Sequence, residues 1–265
     1  MDDRQRTIQS VDRALEILMY LSEQREAATV EEIAAALGQP ASTVYRYLQV
    51  LRVHDFVTPL NGRGSYGLGL GVLRLSQGLQ EGVAPRRAGR PIMERLAAAT
   101  DETIVLMGLI NDGVICIERI ESPHALRYSF RVGQTGPLHA GASSKVLLAY
   151  MPPQQRARVL AGHLRQITDR TIIDPAALDD NLAQVRQLGY ALSEGELDPG
   201  ARAVAVPVFE AGGAVRYGLS LVAPANRLPF GRVEEVAEML RRGAEEIAAR
   251  LAGRRGDGTE AWREG

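Results

Sequence analysis

Ser42, Thr43, Tyr45, Arg46 and Gln49 fall within eight residues and carry hydroxyls, an amide and a guanidinium, but no carboxylate. Such a set can donate and accept hydrogen bonds at base edges and phosphates, which aliphatic groups cannot read. With Gln39 upstream and Arg63 downstream it forms a first candidate site, a surface suited to DNA. A second candidate lies at residues 138–145. There the small residues Ala140, Gly141, Ala142, Ser143 and Ser144 lead from an extended segment into a helix, and Lys145 is the only lysine in the chain. A helix start offers unpaired N–H groups and a positive dipole end, so this stretch suits a carboxylate. Tight packing of a helix on a sheet asks for the same small residues, and both readings stand. Ser193, Glu194 and Glu196 near a strand end, and Ser220 inside the apolar run VRYGLSLV, are candidate partners across such a site. Arg202 can pair a bound carboxylate, or equally Glu196 or Asp198.

Other chemistries lack their residues. The sequence holds no P-loop, no G-x-G-x-x-G after a strand, no G-x-S-x-G and no H-E-x-x-H. Ser143-Ser144-Lys145 does not have the S-x-x-K spacing. His54, His124, His139 and His163 are scattered, and the single Cys116 allows neither an intramolecular disulfide nor a cysteine metal cluster. An enzyme is not expected, nor a metal or cofactor.

The elements that must position the first site read clearly. Thr29 and Glu32 have the spacing of a capping box, with Ile33, Ala34 and Leu37 on one face of the helix that follows. Gly38 can end that helix in the left-handed conformation, and Pro40 suits the first turn of the next. Val44, Leu48 and Leu51 then recur at i, i+4 and i+7 and form a buried stripe, which leaves Ser42, Thr43, Tyr45, Arg46 and Gln49 outside. A helix over residues 10–22, with Val11, Leu15, Leu18 and Leu21 inward, precedes the pair. Short strands at Phe56-Val57 and Ser65-Tyr66 follow, joined by the Asn61-Gly62-Arg63-Gly64 turn. Three helices and a two-stranded ribbon make a winged helix-turn-helix, with Arg63 at the wing tip. Residues 1–68 hold seven basic against nine acidic side chains, a balance of −2. Grip on DNA must therefore come from local placement, with Arg4, Arg6, Arg46 and Arg63 on the DNA side, and from doubling in a dimer.

Gly67, Gly69 and Gly71 mark a change in composition. A short helix with Val72, Leu75 and Leu79 on one face reaches Gly82 and reads as a linker. A helix from Pro85 to about Thr100, interrupted by Pro91, opens a second domain. Strands are expected at residues 102–109 and 114–120 around Asn111-Asp112-Gly113, and again at 126–132, 190–194, 201–209 and 215–223. Helices are expected from Ala142, after Pro152-Pro153, from Asp174 to Gly189 and over 233–251. The fold class is therefore α/β with two domains, a winged helix-turn-helix followed by an α+β domain built on a largely antiparallel sheet. The 265 residues, 45% hydrophobic and 24% charged with net charge −1, suit two modest cores. The polar N-terminus is not a signal peptide, and no apolar run approaches the ~18 residues of a membrane span.

Read in order, SVDRALEIL, LGQPASTVYRYLQVL, YGLGLGVLRL, GPLHAGASSKVLLAY and GYALSEGELDPGARAVAVPVFEAGG resemble the IclR family of bacterial transcription regulators over about residues 7–251. The resemblance implies a winged helix-turn-helix joined to a GAF-like effector-binding domain. It also implies dimers or tetramers on a palindromic double-stranded operator, and a small organic acid as effector. Carried over by position, Ala142 and Ser143 would hold the acid through backbone amides, while Ser193 and Ser220 match polar contact positions of some members. Ala203 and Val222 are apolar where some members that bind very small keto acids are polar, which points to a larger acid, an aromatic one among the candidates. The expected layout is residues 1–68 for DNA, 69–83 as linker, 84–252 for the effector and 253–265 as tail, in a cytoplasmic protein. Two rivals are a small-molecule enzyme with a fused helical domain and a protein-interaction adaptor.

Overall fold

The structure, a computed structural model, describes residues 8–24, 26–60, 64–82, 84–111, 113–125 and 130–255. Arg4, Arg6, Arg63, the Asn61-Gly62 corner, Asp112, residues 126–129 and the 256–265 tail lie outside the described residues. The chain divides into two units, Met1–Val83 and Ala84–Gly265.

The first unit runs α1 (Gln9–Glu23), β1 (Ala28–Thr29), α2 (Val30–Leu37), α3 (Ala41–Val53), β2 (Val57–Leu60), β3 (Ser65–Leu68) and α4 (Leu70–Gly82). Thr29 and Glu32 close the capping box on α2: the Glu32 N–H donates to Thr29 Oγ1 at 3.2 Å and the Thr29 N–H to Glu32 Oε2 at 2.8 Å. Gly38 ends α2 at φ 61°, in the left-handed region. Val44, Leu48 and Leu51 of α3 are buried against Ile33 and Ala34. The strands form an antiparallel sheet of order β1-β3-β2, in which Ala28 faces Tyr66 and Pro59 faces Tyr66 from the other side.

Helix α1 differs from the expected stripe. Ile17 and Leu21 are buried, with Ala14 and Leu18 beside them, whereas Val11 and Leu15 are 53% and 55% exposed. This helix is apolar on two faces, so periodicity alone does not choose the inward one.

The second unit runs α5 (Ala84–Thr100), β4 (Thr103–Ile110), β5 (Gly113–Ile120), β6 (Thr135–Pro137), α6 (Ala142–Ala149), α7 (Pro153–Leu160), α8 (Pro175–Leu188), β7 (Ala191–Glu194), β8 (Ala201–Phe209), β9 (Val215–Pro224) and α9 (Val233–Arg255). Asp174 caps α8 by accepting the Ala177 N–H at 2.8 Å, and Gly189 ends it at φ 75°. The six strands form one antiparallel sheet of order β6-β5-β4-β9-β8-β7. Helices α5 and α9 cover one face through Ile92, Leu96, Leu240 and Ile247, while α6 covers the other through Val146 and Leu147, with α8 packed on α6 through Leu178 and Leu182. The strand expected at residues 126–132 is not found at Phe130–Val132; the edge strand is Thr135–Pro137 instead, paired to Gly113–Ile115. Among the described residues no helix is long and apolar enough to cross a membrane.

Candidate functional site

Two surfaces carry the candidate residues, one in each unit. In the first unit, α3 begins at Pro40 without a side-chain cap, so its first backbone N–H groups remain available. Ser42, Tyr45 and Arg46 are exposed, and Thr43 and Gln49 are half-buried. Gln49 Nε2 donates to Tyr66 Oη at 3.4 Å, which ties the helix to the wing. Gln39 Nε2 donates to Glu16 Oε2 at 3.0 Å, and Gln39 Oε1 is buried without a partner. Thus Ser42, Tyr45 and Arg46 form the open part of this face, and the two glutamines are engaged within the unit.

In the second unit, a cavity of about 520 Å³, counted to its open mouth, lies between α6, the β7–β8 turn and the sheet. Every side chain of α6 is buried. Its start is set by Gly141, at φ 89°, where a Cβ would lie 2.7 Å from Leu197 Cδ1. The Gly141 N–H donates to Glu196 Oε2 at 2.9 Å. The first bond of the helical ladder is Lys145 N–H to Gly141 O at 3.0 Å. The N–H groups of Ala142, Ser143 and Ser144 precede it, and no side chain caps them. They sit on the cavity lining, with Ser193 and Ser220 opposite. Ser220 Oγ donates to Val105 O at 3.3 Å, so this strand serine has an internal partner. The small residues of α6 also serve packing, because Gly218 of β9 lies against Ser143, where a Cβ would come within 3.3 Å of the Ser143 carbonyl oxygen.

Lys145 does not face the cavity. Its Nζ donates to Glu196 Oε1 at 2.5 Å and to Leu192 O at 2.8 Å, in a pair whose side chains are 1% and 6% exposed. The sequence placed this cation toward a bound acid; the structure gives it to a carboxylate 51 residues on, because a buried ammonium needs a counter-charge. Arg202 likewise pairs Glu194, donates to Leu228 O at 2.6 Å and lies 3.8 Å over the Phe230 ring. The cavity lining holds no cation and two carboxylates, Glu196, engaged by Lys145 and the Gly141 N–H, and Asp198, so the one feature there that attracts an anion is the α6 N-terminus. The cavity's apolar walls, Val105, Met107, Phe130, Leu197, Ala203 and Val222, come from segments well apart in sequence, and only Ala203 and Val222 are marked out by the family resemblance. Among the described residues no His, Cys, Asp and Glu cluster could hold a metal.

An uncapped helix start facing an apolar wall can hold a carboxylate and cover its hydrocarbon body. Two family descriptions match the chain: the IclR helix-turn-helix domain at residues 10–60, and the bacterial transcriptional regulator IclR C-terminal domain at residues 83–249. The chain belongs to the IclR family. Among IclR relatives, it is 33% identical to the HTH-type transcriptional regulator KdgR of Escherichia coli (strain K12), over 95% of both chains. It is 28% identical to the HTH-type transcriptional repressor AllR of the same organism, over 93% of this chain and 92% of the other. An IclR regulator from Alicyclobacillus acidocaldarius matches with TM-score 0.80 and 31% identity, covering 93% and 100% of the two chains. An IclR homologue from Microbacterium hydrocarbonoxydans, crystallised with 4-hydroxybenzoate, matches with TM-score 0.78 and 29% identity, covering 91% and 98%. The family and these relatives are DNA-binding transcriptional regulators, not enzymes.

Proposed function

We propose that this IclR regulator responds to a small carboxylic acid with an apolar, aromatic body, bound in the α6 cavity, and that the acid changes its affinity for a palindromic operator. The observation that carries the reading is the uncapped α6 start, with the Ala142 and Ser143 amides on the lining of a cavity walled by Val105, Met107, Phe130, Ala203 and Val222. The acid's oxygens accept from those amides, its ring lies on the apolar wall, and Ser193 and Ser220 serve a second polar group. The relative crystallised with 4-hydroxybenzoate supports this ligand class. On the DNA side, Ser42, Thr43, Tyr45 and Arg46 read the major groove, with Gln39 and Gln49 steadying α3 and Arg63 on the wing.

The head's charge balance calls for a second copy on the operator. Its place is the apolar stripe of Ile8, just before α1, and Val11, Leu15 and Met19 of α1, whose members are exposed although they recur at helical spacing. The protein acts in the cytoplasm, with its operator. The domain layout is a reading head to residue 68, α4 as linker, and the effector domain from residue 84.

Calorimetry with 4-hydroxybenzoate and with pyruvate, together with gel shifts at stated salt on a duplex selected from a random pool, tests both halves. Ser143→Glu is expected to lose acid binding through like-charge repulsion while keeping operator binding, and Arg46→Ala the reverse. Unchanged acid affinity in Ser143→Glu removes the α6 site; preference for pyruvate removes the aromatic class.

A further inference from the structure

Strand β5 contains a one-residue irregularity beside the cavity. Val114 and Cys116 point into the α6-side core. Strict alternation would send Glu118 the same way, into apolar surroundings. The pairing shifts instead: Met107 faces Cys116 and Leu106 faces Glu118, so Ile117 is an extra residue. This bulge turns Glu118 onto the opposite face, the one shared by Ile104 and Leu106, where α5 lies. There its carboxylate, 2% exposed, accepts from Arg86 Nε at 2.7 Å, from Arg90 Nη1 at 3.1 Å and from the Arg119 N–H at 3.0 Å. Burial alone would push the Glu118 carboxyl up; the hydrogen bonds from Arg86, the Arg119 N–H and Arg90 together hold it below the usual carboxylate range.

The same short segment touches the cavity wall twice. Met107, opposite Cys116, lines the cavity, and the Arg119 guanidinium donates to the carbonyl of Phe130, another wall residue. Ile117 lies over Gly108, with Cδ1 where a Cβ would come within 2.6 Å, so the bulge has no slack on that side. On the far side, Arg86 is the third residue of α5 and stands four residues after Gly82, the last of α4.

We propose that Glu118 is a positioning residue that couples the effector cavity to the start of α5, and through the chain to α4, by way of the β5 bulge. The proposal rests on the cavity being the acid site. A ligand that displaces the Met107 and Phe130 walls shifts the bulge. Glu118 carries that shift to Arg86 and Arg90, and the effector biases the head by as much as it prefers one bulge position over the other. A purely structural ion pair would change stability and leave the linkage intact.

The test uses the full chain, 4-hydroxybenzoate as the acid, and a fluorescent duplex selected by the wild type from a random pool. Operator Kd is measured with and without saturating acid, and acid Kd by calorimetry. In the wild type the acid is expected to change operator Kd by roughly 5- to 150-fold, the usual span of such coupling. In Glu118→Gln the ratio falls to within about 2-fold while acid Kd stays within about 3-fold of wild type. Arg86→Gln, which leaves Arg90 to satisfy the carboxylate, shows the same uncoupling and decides the matter if Glu118→Gln does not fold. A wild-type coupling ratio retained in the folded variants overturns the proposal, as does a wild type that binds acid without any change in operator Kd. A wild type that gives no calorimetric signal with the acid overturns the cavity reading, and this proposal with it.

Discussion

Replacing Glu196 by Gln tests the core of the cavity argument. The Lys145 and Glu196 side chains are 1% and 6% exposed, so water does not screen them. The substitution keeps the shape but removes the negative charge, leaving a buried ammonium with only neutral acceptors, such as Leu192 O at 2.8 Å. Breaking one side of a buried pair costs about 3–5 kcal/mol. For a unit of this size about 1 kcal/mol moves Tm by roughly 2–4 °C, so a fall of roughly 6–20 °C is expected by scanning calorimetry. A glutamine amide also has one acceptor where the carboxylate has two. Held in the same place, its NH2 group faces either Lys145 Nζ or the Gly141 N–H, donor against donor, so the α6 start loosens and acid affinity falls as well. The double variant Lys145→Met with Glu196→Leu removes both charges; it is expected to regain much of the lost Tm but not the acid affinity, since the Gly141 N–H stays uncapped. A Tm within about 2 °C of wild type for Glu196→Gln alone would refute the claim that this pair is dry and mutually dependent.

Two further predictions follow from close packing. Gly69→Ala places a methyl group inside the van der Waals shell of the Asp55 carbonyl oxygen, and Gly69 N–H also donates to Phe56 O at 2.8 Å; a loss on the order of 1–3 kcal/mol in the head's stability is expected in urea melts, and a silent substitution would contradict the contact. Burial, chiefly, raises the Cys116 thiol to about 11, the nearby Arg119 opposing and Glu118 adding. Because its folded value lies above the ordinary one of about 9, the thiol's contribution is full below pH 9 and is lost as the pH rises toward 11, up to about 3 kcal/mol. Iodoacetamide at pH 8 should leave Cys116 unmodified until denaturant is added, and rapid native labelling by mass spectrometry would show the site to be open.

What the sequence made legible was local. The capping box at Thr29 and Glu32, the left-handed stop at Gly38 and each of the two caps of the helix between Asp174 and Gly189 rest on bonds between residues no more than four positions apart, and all form as expected. The α3 stripe of Val44, Leu48 and Leu51 was equally plain because the rest of that helix is polar enough to set its phase. Where α1 is apolar on two faces, the phase was not readable. Lys145 and Glu196 meet across 51 residues, and no spacing rule announces that. The cavity's apolar walls look like ordinary core residues until the sheet brings them together. A bulge at Ile117 leaves no mark in an apolar run such as GVICIERI, so neither the direction of Glu118 nor its arginine partners could be read from alternation.

The glycines after the wing invite the idea of a loose tether, and the backbone contradicts it. Gly69 and Gly71 are small because the chain at Phe56 and Asp55 passes against them, with Gly71 N–H donating to Asp55 O at 2.8 Å. Strand β3 thus runs into α4 through a welded joint. A displacement of the first turn of α4 therefore meets the backbone at Asp55 and Phe56 directly, and Tyr66 of the adjoining ribbon accepts from Gln49 of α3 at 3.4 Å. A regulator built this way has a stiff handle. On the function proposed above, an effector adjusts the pitch of the head, and lengthening the joint by a single residue acts as a clutch, leaving both ends folded and the connection idle.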